Sequence, residues 1–395
     1  MNSCLNSICN HGTVSKSTLC EELGISITSI NSTLRSLSEQ GYVICGGIGA
    51  SSGGRKPELL SINPDGAFFA GIEFSADGIS CVILNLKREI CYKHFAEVGK
   101  EADAEDLIRY IILELKKAEG FLKERRDRLC GIAVGASGYL DYEKGMLIFY
   151  SQRPAWNNIY LIDRIKKELD YPVFLLNNVD AMPYAYKWVS CGGTCEDHVM
   201  MAVRYGFKIS AFANNQRIRG AHDFTGEIGH MHVAGSNRLC RCGKHGCFDT
   251  EVTYTAIGQK IEEGMRVGRF KQLAKAIKER GGFSIELFTD ACNNGDQEAL
   301  ELMEETVMNI CSALSWIYYM IDPAVIMVSS KLDKYVDFYK LISGTLYKRY
   351  ENNFTYGKLK IEPAPFGEYL GAVGAAAYIY EKKFGQCNIT VGQRD

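Results

Sequence analysis

The segment GEIGHMHVAGSNRLCRCGKHGC, residues 226–247, constrains the folding of this chain more than any other. Cys240, Cys242 and Cys247 fall close together, among the glycines that a tight ligand loop needs. Thiolate and imidazole are donors that Zn²⁺ prefers, and three cysteines with one histidine close a tetrahedron around it. His230, His232 and His245 compete for the nitrogen position. Four protein ligands leave no open coordination position, so such a metal is structural and fastens a loop.

At 395 residues the chain is long enough for two or three domains around a large buried core. An apolar fraction of 46% and a charged fraction of 23% are those of a globular protein in water. A net charge of −2 gives the whole molecule no general attraction for nucleic acid or anionic membrane. The fifteen cysteines are odd in number and scattered, without the spacing of a disulfide framework. The start, MNSCLNSICNHGTVSK, lacks the apolar stretch of a signal peptide. No run approaches the ~18 apolar residues of a membrane span. A reduced, cytoplasmic setting without a membrane partner is expected.

Residues 1–65 read as a winged helix-turn-helix. In SKSTLCEEL, Ser15 is a candidate N-cap, and Leu19 and Leu23 recur at helical spacing. Gly24 breaks that helix. Ser26 opens a second one, residues 27–40, with Ser29 three positions on in an imitation of a capping box. Ile30, Leu34 and Leu37 make its apolar side, opposite Thr28, Ser29, Asn31, Ser32 and Arg35. A helix, a short glycine turn and a helix with a small polar face suit insertion into a DNA major groove. The glycine-rich hairpin that follows carries Arg55 and Lys56, placed as a wing that touches phosphate. The expected DNA contacts are Ser26, Thr28, Ser29, Asn31, Ser32, Arg35, Arg55 and Lys56. Charge argues the other way. Lys16, Arg35, Arg55 and Lys56 stand against Glu21, Glu22, Glu39, Glu58 and Asp65, and DNA-binding modules are usually more basic.

Beyond residue 65, apolar runs such as AFFAGIEF, ISCVILNL, LCGIAVGA, VFLLNN and AVIMVSS alternate with stretches of helical spacing at 103–124 and 253–320. That alternation argues for an α/β fold. No internal repeat is visible by eye.

Three segments resemble one family. SSGGRKPELLSINPDGAFFAGIEF is similar to the joint between winged helix and sugar domain in repressors of the ROK family (repressor, open reading frame, kinase). GIAVGASGYLDYEKGMLIFYSQRPAW is similar to that family's G-x-P-G-x-v-D…G segment. The cysteine segment is similar to its E-x-G-H…C-x-C-G-x-x-G-C-x-E pattern. The resemblance, to the branch of xylose-operon and N-acetylglucosamine repressors, covers essentially the whole chain. It implies a winged helix at 1–65 and a sugar domain at 66–395. That domain would have a two-lobed actin-like, hexokinase-like (ribonuclease H-like) ATPase fold, with lobes near 66–185 and 186–395 and a ligand cleft between them. It also implies His230 as the fourth zinc ligand beside Cys240, Cys242 and Cys247, and a homodimer or homotetramer.

Family kinases cradle nucleotide phosphates with glycines and use a carboxylate to take the proton from the attacking hydroxyl. In this chain the first phosphate loop, D-x-G-G-T, becomes Glu73, Phe74, Ser75, Ala76 and Asp77. The second becomes RYGFKIS, Arg204 to Ser210, with Gly206 alone retained. The strand before the nucleoside pocket ends in Ser329, Ser330 and Lys331 where G-G-G is usual. In LNNVDAMPYAY, Asn178 aligns with the catalytic Asp, and an amide is no general base near neutral pH. ATP is therefore not expected as a cofactor, and Asp180 is expected to point elsewhere. The sugar contacts are better kept: Gln152, Asn177, Asn178, Glu227, His230 and Asp249, the last in place of the family's Glu. Asp249 and Glu227 can equally serve as supports of the zinc loop. A phosphorylated ligand would need a cation, with Lys208, Arg204 and Lys331 as candidates.

The expectation is a non-catalytic, sugar-responsive repressor of carbohydrate-use genes, with structural Zn²⁺, a double-stranded DNA operator and a monosaccharide or sugar-derivative effector. The alternative is an ATP-dependent sugar kinase of glucokinase or fructokinase type with an appended regulatory domain.

Overall fold

The chain opens with a helix that its polar N-terminus does not announce. α1 (Asn2–His11) buries Cys4, Leu5 and Ile8 along one side. The structure, a computed structural model, describes residues 1–49, 57–350 and 359–385. After β1 (Thr13–Ser15) come α2 (Lys16–Leu23) and α3 (Ile27–Glu39). Ser15 and Ser26 cap the two helices, accepting from the backbone N–H of Thr18 and Ser29, so each helix starts where its serine stands. Ile30, Leu34 and Leu37 are buried, while Thr28, Ser29, Asn31, Ser32 and Arg35 are exposed. β2 (Val43–Ile48) and β3 (Glu58–Ile62) pair antiparallel, and β1 lies on the far side of β3. Arg55 and Lys56 lie outside the described residues.

β4 (Phe68–Phe74), β5 (Ile79–Asn85) and β6 (Ile90–Ala96) form an antiparallel meander. α4 (Ala104–Leu122) follows, opened by a reciprocal capping box between Asp103 and Asp106. Then come β7 (Leu129–Ala136), the small pair β8 (Tyr139–Asp141) and β9 (Met146–Phe149), α5 (Leu161–Lys166), β10 (Val173–Asn177) and α6 (Asn178–Ala185). A π-helical turn, Tyr186–Ser190, continues α6. The sheet runs β10-β7-β4-β5-β6, with β7 parallel to β4 and β10. Every residue of β4 and β5 is buried. Strands covered on both faces read as continuous apolar runs rather than alternating ones.

A second sheet repeats this order. β11 (His198–Val203), β12 (Phe207–Ala213) and β13 (Gln216–Arg217) form its meander. A helical run intervenes: α7 (Asp249–Val252), α8 (Tyr254–Arg266), α9 (Lys271–Arg280), α10 (Ile285–Asn293) and α11 (Gln297–Ile321). β14 (Val325–Ser329), α12 (Phe338–Tyr350) and β15 (Lys360–Pro363) complete it. The order is β13-β12-β11-β14-β15, with β14 parallel to β11 and β15. Each sheet is thus a three-strand meander extended by two parallel strands.

α13 (Leu370–Phe384) then returns to the first sheet. The chain divides into one unit of residues 1–195 with 368–395 and another of residues 196–367. Two expectations need correction. The boundary falls after the expected 185/186, and the C-terminal segment belongs with the first unit. The cause is the small-residue run LGAVGAAA, whose bare surface packs against β4, β7 and α6. A Cβ at Gly374 would overlap the Ala181 carbonyl of α6. Residues 1–65 also fall within the first unit. Among the described residues no helix is long and apolar enough to cross a membrane.

Candidate functional site

His230 ends a 3-10 turn, Ile228–His230, and its ring meets the three cysteines of the following loop. One ligand atom from each of His230, Cys240, Cys242 and Cys247 lies within 4.8 Å of the others. His230 Nδ1 is 3.9 Å from Cys240 Sγ, and Cys242 Sγ is 3.6 Å from Cys247 Sγ. The rival histidines face elsewhere. His245 Nδ1 lies 3.0 Å from the Asn237 carbonyl, and the His232 ring packs against Gly246. Backbone bonds from Cys240 to Lys244 and from Gly243 to Cys240 tighten the loop. Phe248, next to the last cysteine, anchors it in the core, edge-on to Phe207 and Trp316. Burial raises the Cys240 thiol and pushes Cys247 up to about 12. For Cys242 burial acts in the same direction, but the Lys244 N–H and the neighbouring thiols outweigh it and the net shift is downward. Clustered thiols do not all ionise unaided, and a divalent cation supplies the missing charge. The donor set and its compactness fit tetrahedral Zn²⁺.

The same turn places Glu227. Lys208, on β12, reaches its Oε1 with Nζ at 2.8 Å, and the lysine side chain is only 9% exposed. Asp249, the first residue of α7, accepts the Phe207 N–H at 2.9 Å. A Cβ at Gly229 would overlap both the Asp249 carboxylate and the Phe207 carbonyl, so this corner closes only around a bare backbone. Burial raises the Asp249 pKa, against the Phe207 N–H and the His230 ring, while the Glu227 charge adds to the rise. Asp249 therefore spends one oxygen on holding the start of α7 to β12.

Gln152, Asn177 and Asn178 belong to the first unit. Gln152 is half-buried on a segment pinned by its neighbour Arg153, which donates to the carbonyls of Ala76, Val98, Gly99 and Lys100. Asn177 caps α6, its Oδ1 accepting from the Val179 N–H at 3.0 Å. Asn178 is buried and donates through Nδ2 to Glu73 Oε1 at 2.9 Å. Asp180 is buried within α6.

The glycine-poor loops form side-chain bridges. Arg204 donates from Nε and Nη2 to Ser329 Oγ at 3.2 and 2.7 Å. The Tyr254 hydroxyl accepts the Lys331 N–H at 2.5 Å and lies 3.4 Å from Ser330 Oγ. Lys331 Nζ pairs with Glu286 at 2.9 Å. Each of the three cations considered for a phosphate thus has a protein partner. Sequence reasoning missed the pairing roles of Glu73, Lys208 and Tyr254. Lys208 is visible in the sequence only as a lost glycine and Glu73 only as the replacement of a loop Asp, and no spacing rule links Glu73 to Asn178 across 105 positions.

Comparison with known proteins agrees with this architecture. The chain is 25% identical over 264 residues to a xylose repressor of Caldicellulosiruptor bescii, covering 67% of this chain and 66% of that protein. It is 23% identical over 333 residues to a glucokinase of Thermotoga maritima, covering 83% and 98%. The crystal structure of a ROK family transcriptional regulator, a homologue of the Escherichia coli MLC protein, superposes with a TM-score of 0.77 at 20% identity, covering 94% of this chain and 92% of that one. The chain spans slightly less than two thirds of the length of the xylose repressors it matches. The ROK family model matches residues 69–382, from the first strand of the first sheet through nearly all of α13, and on that match the chain belongs to the ROK family.

Proposed function

We propose that this protein is a sugar-responsive, DNA-binding repressor of carbohydrate-use genes that does not phosphorylate its sugar. One observation carries the reading: the exposed side of α3 offers Thr28, Asn31, Ser32 and Arg35, whose side chains have no hydrogen-bond or ion-pair partner among the described residues. Short polar groups and an arginine on a capped helix are suited to base edges in the major groove. Ser26 and Ser29 stand at the start of that helix, and Arg55 and Lys56 are proposed at the wing. The acidic balance of residues 1–65 is eased by neighbours. Arg125 pairs with Asp65 at 2.6 Å, and Arg128 donates to the Gln40 carbonyl at the end of α3. A homodimer or homotetramer would present two such helices to a pseudo-palindromic operator in the cytoplasm.

The proposed sugar contacts form two sets, each within its own unit: Gln152, Asn177 and Asn178, and Glu227, His230 and Asp249. Structural Zn²⁺ on His230, Cys240, Cys242 and Cys247 would fix the turn that carries the second set. Loss of catalysis is supported by Asn178, an amide tied to Glu73, and by side chains bridging the strand ends. The xylose repressor match supports the sugar effector. The second reading, a sugar kinase with an appended regulatory domain, is favoured by a glucokinase match spanning 98% of that enzyme. Coupled ADP-release assays across hexoses, pentoses and amino sugars separate the two. The repressor reading expects no turnover above a blank, together with a protected footprint upstream of the protein's own gene; robust turnover without a footprint overturns it.

A further inference from the structure

We propose that Glu73 is a positioning residue that decides what Asn178 offers a sugar and carries the state of Asn178 through α13 to the N-terminal helices. The inference rests on the reading of Asn178 as a sugar contact. Glu73 stands near the end of β4 and is 4% exposed. Its Oε1 accepts from Asn178 Nδ2 at 2.9 Å. Its carboxylate also lies against Gly371, in the first turn of α13, where any Cβ would overlap it. A carboxylate oxygen meets the NH₂ end of an amide and repels the carbonyl end. Glu73 therefore fixes the Asn178 amide, and the Oδ1 carbonyl is left without a bond among the described residues. An amide held this way presents Oδ1 as an acceptor at a fixed position, where a ligand hydroxyl must donate.

The far end of α13 seats the start of the chain. Tyr380 donates its hydroxyl to Asn6 Oδ1 at 2.8 Å, and Asn6 Nδ2 donates to the Phe384 carbonyl at 3.0 Å. Asn2 Nδ2 reaches the Gly385 carbonyl, and the Tyr42 and Phe384 rings meet edge-on at 5.3 Å. A helix of this length spans roughly 20 Å. Closely packed elements transmit displacement rather than absorb it. A pull on Asn178 is therefore felt by Glu73, by the first turn of α13, and by the seat of α1.

The test uses the full-length protein, operator DNA, and xylose, glucose and N-acetylglucosamine with their deoxy and deoxyfluoro analogues. A deoxyfluoro analogue cannot donate at the replaced position. The wild type is expected to lose about tenfold or more in affinity for one such analogue, the scale of a hydrogen bond to a well-fixed partner. Glu73→Gln can bond Asn178 in either sense. It is expected to bring that discrimination below about threefold and to shrink the sugar-induced change in DNA affinity to a similar degree. The double variant Glu73→Gln with Asn178→Asp again pairs one donor with one carboxylate and is expected to restore both. A merely structural role predicts no such rescue. Unchanged discrimination and coupling in Glu73→Gln, or a double variant no better than the single, overturns the proposal. Should Glu73→Gln fail to fold by circular dichroism, Asn178→Asp alone decides. Two carboxyl groups at that distance share a proton, so the pH profile of sugar affinity should differ from that of the wild type, and an unchanged profile overturns the proposal. A wild type that answers no sugar overturns the functional reading itself, a result distinct from any failure of the variants.

Discussion

Asn6→Ala should detach the start of the chain from α13 while leaving the first sheet intact. The substitution removes two buried bonds, from Asn6 Nδ2 to the Phe384 carbonyl at 3.0 Å and from the Tyr380 hydroxyl to Asn6 Oδ1 at 2.8 Å. Each bond contributes about 1 kcal/mol net, and each partner left buried and unsatisfied costs about 1–3 kcal/mol. Allowing for local relaxation, the seat of α1 should weaken by roughly 2–4 kcal/mol, about 30- to 900-fold in the local opening equilibrium. Tyr380→Phe removes the second bond alone and should cost about half as much. The double variant should fall short of the sum by about 1 kcal/mol, because both single variants delete the same bond. Hydrogen exchange read by mass spectrometry reports the effect. Peptides from α1, α2 and α3 should exchange faster, and those from β4 and β5 should not change. Additive costs, or acceleration spread evenly over the first unit, would refute the reasoning.

Three further outcomes are expected. Cys242→Ser should lose bound zinc by elemental analysis and speed exchange in residues 226–247 while the protein stays folded; the ~10–16 kcal/mol that zinc supplies to isolated fingers is not needed where a large core holds the chain, and full metal retention would show the ligand set to be wrong. Lys208→Met removes the ammonium that holds Glu227 at 2.8 Å and should weaken the sugar response about tenfold or more; an unchanged titration removes Glu227 from the contacts. Glu251 is held below the usual carboxylate range: burial works to raise it, but the Lys260 ammonium and the Ser236 hydroxyl outweigh burial. A carboxylate whose pKa is lowered on folding adds stability that is present above its unfolded value, about 4.3, and is lost as pH falls through the folded value. Wild type and Glu251→Gln should thus differ by about 1–3 kcal/mol in urea unfolding at neutral pH and converge below about pH 4, and a gap that stays constant with pH would exclude the mechanism.

Local signals were legible where they have local causes. Ser15 and Ser26 cap helices because a short side-chain oxygen reaches its own helix's N–H groups, and that competence is written in neighbouring letters. The loop closing on His230, Cys240, Cys242 and Cys247 is legible for the same reason. Choosing His230 over His232 and His245 needed the resemblance at the sequence level and the ring orientations at the structural one. α1 was not legible, since Cys4, Leu5 and Ile8 sit in a polar stretch and their burial depends on distant neighbours. The return of α13 was hidden because its signal is smallness, and small residues mark close packing without naming the partner. The repeated strand order of the two sheets leaves no trace by eye, since many different apolar runs satisfy one buried strand pattern. The pairing Glu73–Asn178 joins residues 105 positions apart, and that of Lys208 with Glu227 crosses from a strand to a loop, so only the fold brings either together.

A sugar-gated grip on DNA is the function proposed for this protein. Fluorescence anisotropy of the purified protein with duplex DNA from upstream of its own gene, at fixed salt and with a monosaccharide panel, tests it most directly. Binding well above that to a scrambled duplex is expected, shifted by one sugar and not by the others. Binding no tighter than to the scrambled duplex, at low as well as physiological salt, would contradict it.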